Sequence, residues 1–185
     1  MVEEIYKDAH NRMHKTMEAL TREFTTVRAG KASVHLLDMV KVQAYGTALP
    51  LNQVATVSAP EARLLVVQAF DKGTISEIVR GIQVADLGLN PQVDGQIIRV
   101  PIPALTEERR KELAKHCKHL AEEARVAVRN IRRDANEHLK KAMKDKKISE
   151  DEEIGGLDKI QKMTDEHIKE IDSLLAKKEK EVTDV

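Results

Sequence analysis

The sequence predicts an α+β fold: an elongated three-helix bundle with a small α/β domain, a β-sheet plus a short helix, inserted after its first helix. Three observations carry that prediction. Apolar residues recur at three-and-four spacing over residues 1–29, 106–147 and 149 onward. Residues 31–104 instead read as short runs rich in Val, Ile and Leu. Both crossings between these patterns carry turn residues or prolines. The predicted domains are 1–29 plus 106–185 for the bundle and 31–104 for the insertion.

In the first helix Tyr6, Ala9, Met13, Met17, Leu20, Phe24 and Val27 share one face. The second opens with Thr106 as N-cap and Glu107 and Glu108 at the positive end of the helix dipole. Its apolar seam runs through Leu113, Cys117, Leu120, Ala124, Val128, Ile131, Ala135, Leu139 and Ala142, and the whole helix over 106–147 spans roughly 60 Å. The third opens on Ser149 and Glu152, a capping-box spacing, and places Leu157, Ile160, Ile168, Ile171, Leu175 and Val182 together. Gly155 and Gly156 in its first turns predict fraying or a kink there.

Within the insertion Val40, Val42 and Ala44 alternate, and Val54 to Val57, Leu64 to Phe70 and Ile97 to Val100 read as strands. Thr74 and Glu77 have capping-box spacing ahead of a short helix with Ile75, Ile78, Val79 and Ile82 on one face. Tyr45-Gly46, Asn90-Pro91 and Asp94-Gly95 mark turns. A hinge is expected at Ala29, Gly30 and Lys31 on the way out, and at Pro101, Pro103, Ala104 and Leu105 on the way back. Glycine there tolerates positive φ, and the prolines stiffen the return.

The chain has 185 residues, 34% of them charged, and a formal net charge of zero. That zero is a sum of opposites. Residues 106–147 carry 14 basic against 8 acidic side chains, residues 148–185 carry 6 against 12, and residues 1–105 balance at 11 against 11. A basic helix beside an acidic one predicts their mutual packing and salt-sensitive, oriented binding. In Ala124 to Ala135, Arg125, Arg129 and Arg132 recur at four and three residues. With Arg110, Lys118, Arg133 and Lys140 they fall on a face centred roughly 130° from the seam. An exposed helix in so charged a chain carries Lys and Arg by default. The stripe, however, favours Arg, whose planar fork matches phosphate, and Glu122 is nearly the only acid in its middle. Recognition of a polyanion is the expected use.

Other classes have less support. Aromatic residues are 2% of the chain, with no Trp, so base stacking is not the expected mode. No phosphate loop, dinucleotide turn, nucleophile elbow, zinc-protease signature or paired-cysteine motif occurs. The pairs His10 with His14 and His116 with His119 have metal-compatible spacing but no obvious third ligand. The one cysteine, Cys117, lies on the seam and reads as an inert thiol. No apolar run reaches the length of a membrane span, and a soluble, cytoplasmic protein is expected. No enzyme activity and no metal or other cofactor are expected.

The runs Asp86-Leu87-Gly88-Leu89-Asn90-Pro91, Leu105-Thr106-Glu107-Glu108-Arg109-Arg110-Lys111, Ala124 through Ala135, and Gln161-Lys162 with Thr164-Asp165 give the chain a specific resemblance to the ribosome recycling factor family. The resemblance spans nearly the whole length. It implies an L-shaped two-domain molecule, similar in outline to a transfer RNA, that enters ribosomes after termination. It further implies a monomer that lays its bundle against large-subunit ribosomal RNA. Elongation factor G, using GTP, would then act on it to separate the subunits. On matching positions, Arg110, Arg129 and Arg132 become the first candidates for ribosomal RNA contact, with Arg28, Arg125 and Arg133 secondary. The first crossing departs from the family's common Arg-Thr-Gly-Arg, reading Arg28-Ala29-Gly30-Lys31. Lys31 keeps the charge without the fork. A helical adaptor that binds a protein partner, with its charged face merely solvated, is the competing reading; a metal-dependent enzyme ranks below both.

Overall fold

The computed structural model describes residues 1–27 and 30–184. The chain divides into two compact units, Met1–Ala29 with Glu107–Val185, and Gly30–Thr106. The expectations placed on Arg28 and Ala29 lie outside the described residues.

The first unit packs three helices: α1 (Val2–Thr26), α3 (Glu107–Lys144) and α4 (Glu150–Thr183). Each pair of them is in contact. Ala9, Met13, Met17, Leu20 and Phe24 of α1, Leu113, Cys117, Val128 and Leu139 of α3, and Ile160, Met163 and Ile171 of α4 are buried in this unit. Each large apolar side chain buried in this way contributes about 1.5–3 kcal/mol before the entropy of ordering it. Helix α1 ends earlier than its pattern suggests, because Val27 is already extended at φ −77° and ψ 110°. Helix α3 buries Ala121 where Leu120 was expected, and Leu120 is half-buried. Two helices approach α3 from different sides, so its buried face is wider than a single seam. In α4 the buried set includes Met163 and Thr164, while Leu157, Ile168 and Leu175 are half-buried.

Ser149 and Glu152 form the capping box: Glu152 N–H donates to Ser149 Oγ at 3.2 Å, and Ser149 N–H donates to the Glu152 carboxylate at 2.7 Å. The expected break at Gly155-Gly156 does not occur, and α4 runs through both. Gly156 is buried against α3, where its missing side chain permits the approach of Leu139. Tertiary contact overrides the weak helix propensity of glycine.

The second unit holds two antiparallel sheets and one helix. Strands β1 (Lys41–Ala44) and β2 (Thr47–Pro50) form a hairpin. Strands β3 (Ala55–Glu61), β4 (Leu64–Ala69), β5 (Gln92–Asp94) and β6 (Ile97–Pro101) form a four-stranded sheet in the order β3-β4-β6-β5. Leu65 pairs with Val100 and Val67 with Ile98, and all four are fully buried. Helix α2 (Ile75–Val84) buries Ile78 and Ile82 into the same core. The predicted Thr74–Glu77 capping box is absent. Asp71 caps the preceding 3-10 turn through Gly73 N–H at 2.9 Å, and Thr74 Oγ donates back to the Asp71 carbonyl at 2.8 Å, which removes it from capping α2.

Candidate nucleic-acid interface

The basic face of α3 is organised by ion pairs. Arg125 is a strut between helices: its Nε and Nη2 donate to Asp172 Oδ1 of α4 at 2.9 and 2.6 Å, and its Nη1 donates to Glu122 Oε2 at 3.0 Å. Its side chain is only 19% exposed. The hydrogen bond to Asp172 raises the Arg125 pKa further above its usual range, so the guanidinium is permanently charged. Arg129 lies one turn on and is held by Glu122, with Nη1 3.5 Å from Oε1.

Arg132 and Arg133 differ from these. Among the described residues neither makes an ion pair or hydrogen bond within the molecule, and Arg133 is exposed while Arg132 is half-buried. The adjacent acid, Asp134, is taken by Arg12 of α1 at 2.8 Å. The stripe is therefore flanked by cross-helix pairs to α4 and to α1, with open guanidinium groups between them. Arg110 lies near the start of α3, half-buried and engaged within the molecule. The structure thus places Arg110, Arg125, Arg129, Arg132 and Arg133 on α3 but gives them unequal availability. Open guanidinium groups can take phosphate oxygens bidentately, and Arg125 is committed to carboxylates.

Glu122 and Asp172 have roles that reasoning from helical spacing missed. The Glu122–Arg125 spacing of three was legible; Asp172 lies 47 residues beyond Arg125, and nothing local indicates the pairing.

The return crossing begins in the sheet, where Pro101 pairs with Leu64 and Ile102 N–H donates to the Arg63 carbonyl at 2.8 Å. Pro103 and Ala104 are exposed, and Leu105 is half-buried against Gly30. Gly30 has φ +71°, and Lys31 is exposed. The outgoing and returning segments thus touch at Gly30 and Leu105.

The histidines of α1 and α4 meet ring to ring. His10 lies 6.4 Å from His14 and 6.1 Å from His167, centroid to centroid. Among the described residues no group of three or more His, Cys, Asp or Glu side chains is disposed to hold a metal ion. Burial raises the pKa of the Cys117 thiol, which suppresses its thiolate. No helix among the described residues is long and apolar enough to cross a membrane.

The family model described as ribosome recycling factor matches residues 20–182. The chain belongs to the ribosome recycling factor family. It is 54% identical to the ribosome-recycling factor of Syntrophomonas wolfei subsp. wolfei and 52% identical to that of Carboxydothermus hydrogenoformans, each alignment covering all of both chains. Among solved structures, the solution structure of a ribosome recycling factor matches with a TM-score of 0.77 at 41% identity, covering all of this chain and 98% of the other. A second, with a TM-score of 0.63 at 45% identity and 98% coverage of each, is described as models for the T. thermophilus ribosome recycling factor and the E. coli elongation factor G bound to the E. coli post-termination complex. The α+β architecture of a helical bundle with a small sheet domain is that of the family. The family's work is ribosome recycling, and its members are translation factors, not enzymes.

Proposed function

We propose that this chain binds post-termination ribosomes and, with elongation factor G and GTP, splits them into subunits for reuse. The observation that carries the reading is the face of α3, where Arg132 and Arg133 stand without partners among the described residues in a chain matched to the family over residues 20–182. Arg110, Arg129 and Arg132 contact large-subunit ribosomal RNA, with Arg28, Arg125 and Arg133 secondary, through electrostatic engagement of phosphates. The segments at Ala29, Gly30, Lys31, Pro101, Pro103, Ala104 and Leu105 act as a hinge that lets the inserted unit move when elongation factor G acts on it. GTP is bound and hydrolysed by that partner, and this chain works in the cytoplasm as a monomer without a cofactor of its own.

The test is subunit splitting of post-termination ribosomes followed by light scattering, with this protein, elongation factor G and GTP present together and each omitted in turn. Splitting that needs all three is expected. Undiminished splitting without this protein would overturn the proposal.

A further inference from the structure

Glu122 stands on the basic face of α3 and holds two arginines at once. Its Oε2 accepts from Arg125 Nη1 at 3.0 Å, and its Oε1 lies 3.5 Å from Arg129 Nη1. An acid in that place lowers the local positive potential, so by charge alone it opposes the binding of any RNA. What it contributes instead is position. An unrestrained arginine samples many rotamers, and ordering it on binding costs entropy that a prior contact removes. Arg125 completes the device: Asp172 takes its Nε and Nη2, leaving Nη1 for Glu122. The carboxylate that steers Arg129 is thus tethered through Arg125 to the neighbouring helix.

We propose that Glu122 is a positioning residue for RNA recognition, fixing the Arg129 guanidinium toward one phosphate of folded large-subunit RNA at the expense of general attraction to polyanions. In this arrangement Arg125 is the brace, not a principal phosphate ligand. The inference rests on the reading of α3 as an RNA-contacting face and adds how that face selects its target.

The experiment measures affinity for purified large ribosomal subunits and for poly(U) across a salt series, using the full chain. The variants are Glu122→Ala, Arg129→Ala, the two combined, and Arg129→Ala with Arg132→Ala. Glu122→Ala is expected to weaken subunit binding about fivefold while tightening poly(U) binding about twofold, since a negative charge has been removed. In the Arg129→Ala background the Glu122 substitution should no longer weaken subunit binding. A structural defect would weaken both ligands together, and circular dichroism reports whether the helices persist. Tightening on both RNAs would overturn the proposal, because Glu122 would then act only as a charge; so would an equal loss on subunits with and without Arg129. Failure of the underlying reading looks different: the Arg129→Ala, Arg132→Ala variant would then bind both RNAs like the unmodified protein, and the proposal would fall with it.

Discussion

Gly156 lies so close to Leu139 that a Cβ built on it would stand 3.0 Å from Leu139 Cδ2 and 3.2 Å from Val2 Cγ1. Leu139 is fully buried and has little room to retreat. Gly155, one residue earlier, faces open space. The two glycines therefore predict opposite outcomes. Gly155→Ala should stabilise the helix by about 0.5–1 kcal/mol through backbone entropy. Gly156→Ala makes the same gain but overpacks the α1, α3 and α4 junction, for a net loss of about 1 kcal/mol. Urea unfolding followed by helical ellipticity separates them; equal stabilisation by both would refute the close approach.

Arg125 and Asp172 join α3 to α4 with little of the arginine in water. Arg125→Ala should cost about 1–2 kcal/mol, discounted from a fully buried pair because Asp172 is more than half exposed. Arg125→Lys should recover little of it, since one ammonium cannot reproduce donation from Nε, Nη1 and Nη2. Denaturant midpoints of the two variants check this, and full recovery by lysine would reduce the strut to simple charge attraction.

How legible these features were in the sequence depends on the range over which each is determined. The α3 pattern was readable because Arg125, Arg129 and Arg132 repeat against Val128, Ile131 and Ala135 at the period of a single helix. Which of those arginines is available was not, because Asp172 and Arg12 reach the face from other helices. The packing of Gly156 is hidden for the same reason: propensity is local, and its neighbour Leu139 is not. Strands β2 and β5 are not legible in the sequence because their residues are exposed or at most half-buried and show no apolar alternation. The spacing at Ser149 and Glu152 is a true capping box and that at Thr74 and Glu77 is not, since Asp71 supplies Thr74 with a competing partner one turn earlier.

The Ser149–Glu152 box makes stability of α4 dependent on pH. Hydrogen bonds from Ser149, the backbone N–H first, lower the Glu152 pKa in the folded state. A depressed carboxylate contributes stability that is present above its unfolded pKa and lost as pH falls through the folded value. Glu152→Gln should therefore destabilise the protein at neutral pH and match it in strong acid. Thermal midpoints of both proteins between pH 7 and pH 2 read the difference directly, and a gap that stays constant across that range would remove Glu152 as its source.

Arg132→Ala should weaken binding to large ribosomal subunits about tenfold, and Arg129→Ala with Arg132→Ala more than either alone. Each phosphate contact removed should reduce the log–log dependence of affinity on salt by about one. A salt titration thus distinguishes lost phosphate contacts from a general loss of fold, which would leave no consistent slope. An unaltered slope in the double variant would assign these arginines to solvent.

Gly30 combines a left-handed backbone with a crowded side. Its φ is +71°, and a Cβ there would come within 2.9 Å of Leu105 Cγ. Alanine is opposed by both effects, and proline, fixed near φ −65°, cannot adopt the observed backbone at all. Since the arginines proposed to contact RNA lie on α3 and the strain falls on the crossing segments, Gly30→Ala should leave large-subunit affinity nearly unchanged while slowing splitting severalfold. Leu105→Ala in the same chain clears the steric part and leaves the φ penalty, so partial rescue of splitting is expected. Light scattering for splitting and sedimentation for binding give the two readouts. If affinity and splitting fall together in Gly30→Ala and neither responds to Leu105→Ala, the crossing is part of the binding surface and the assignment of a separate hinge is wrong.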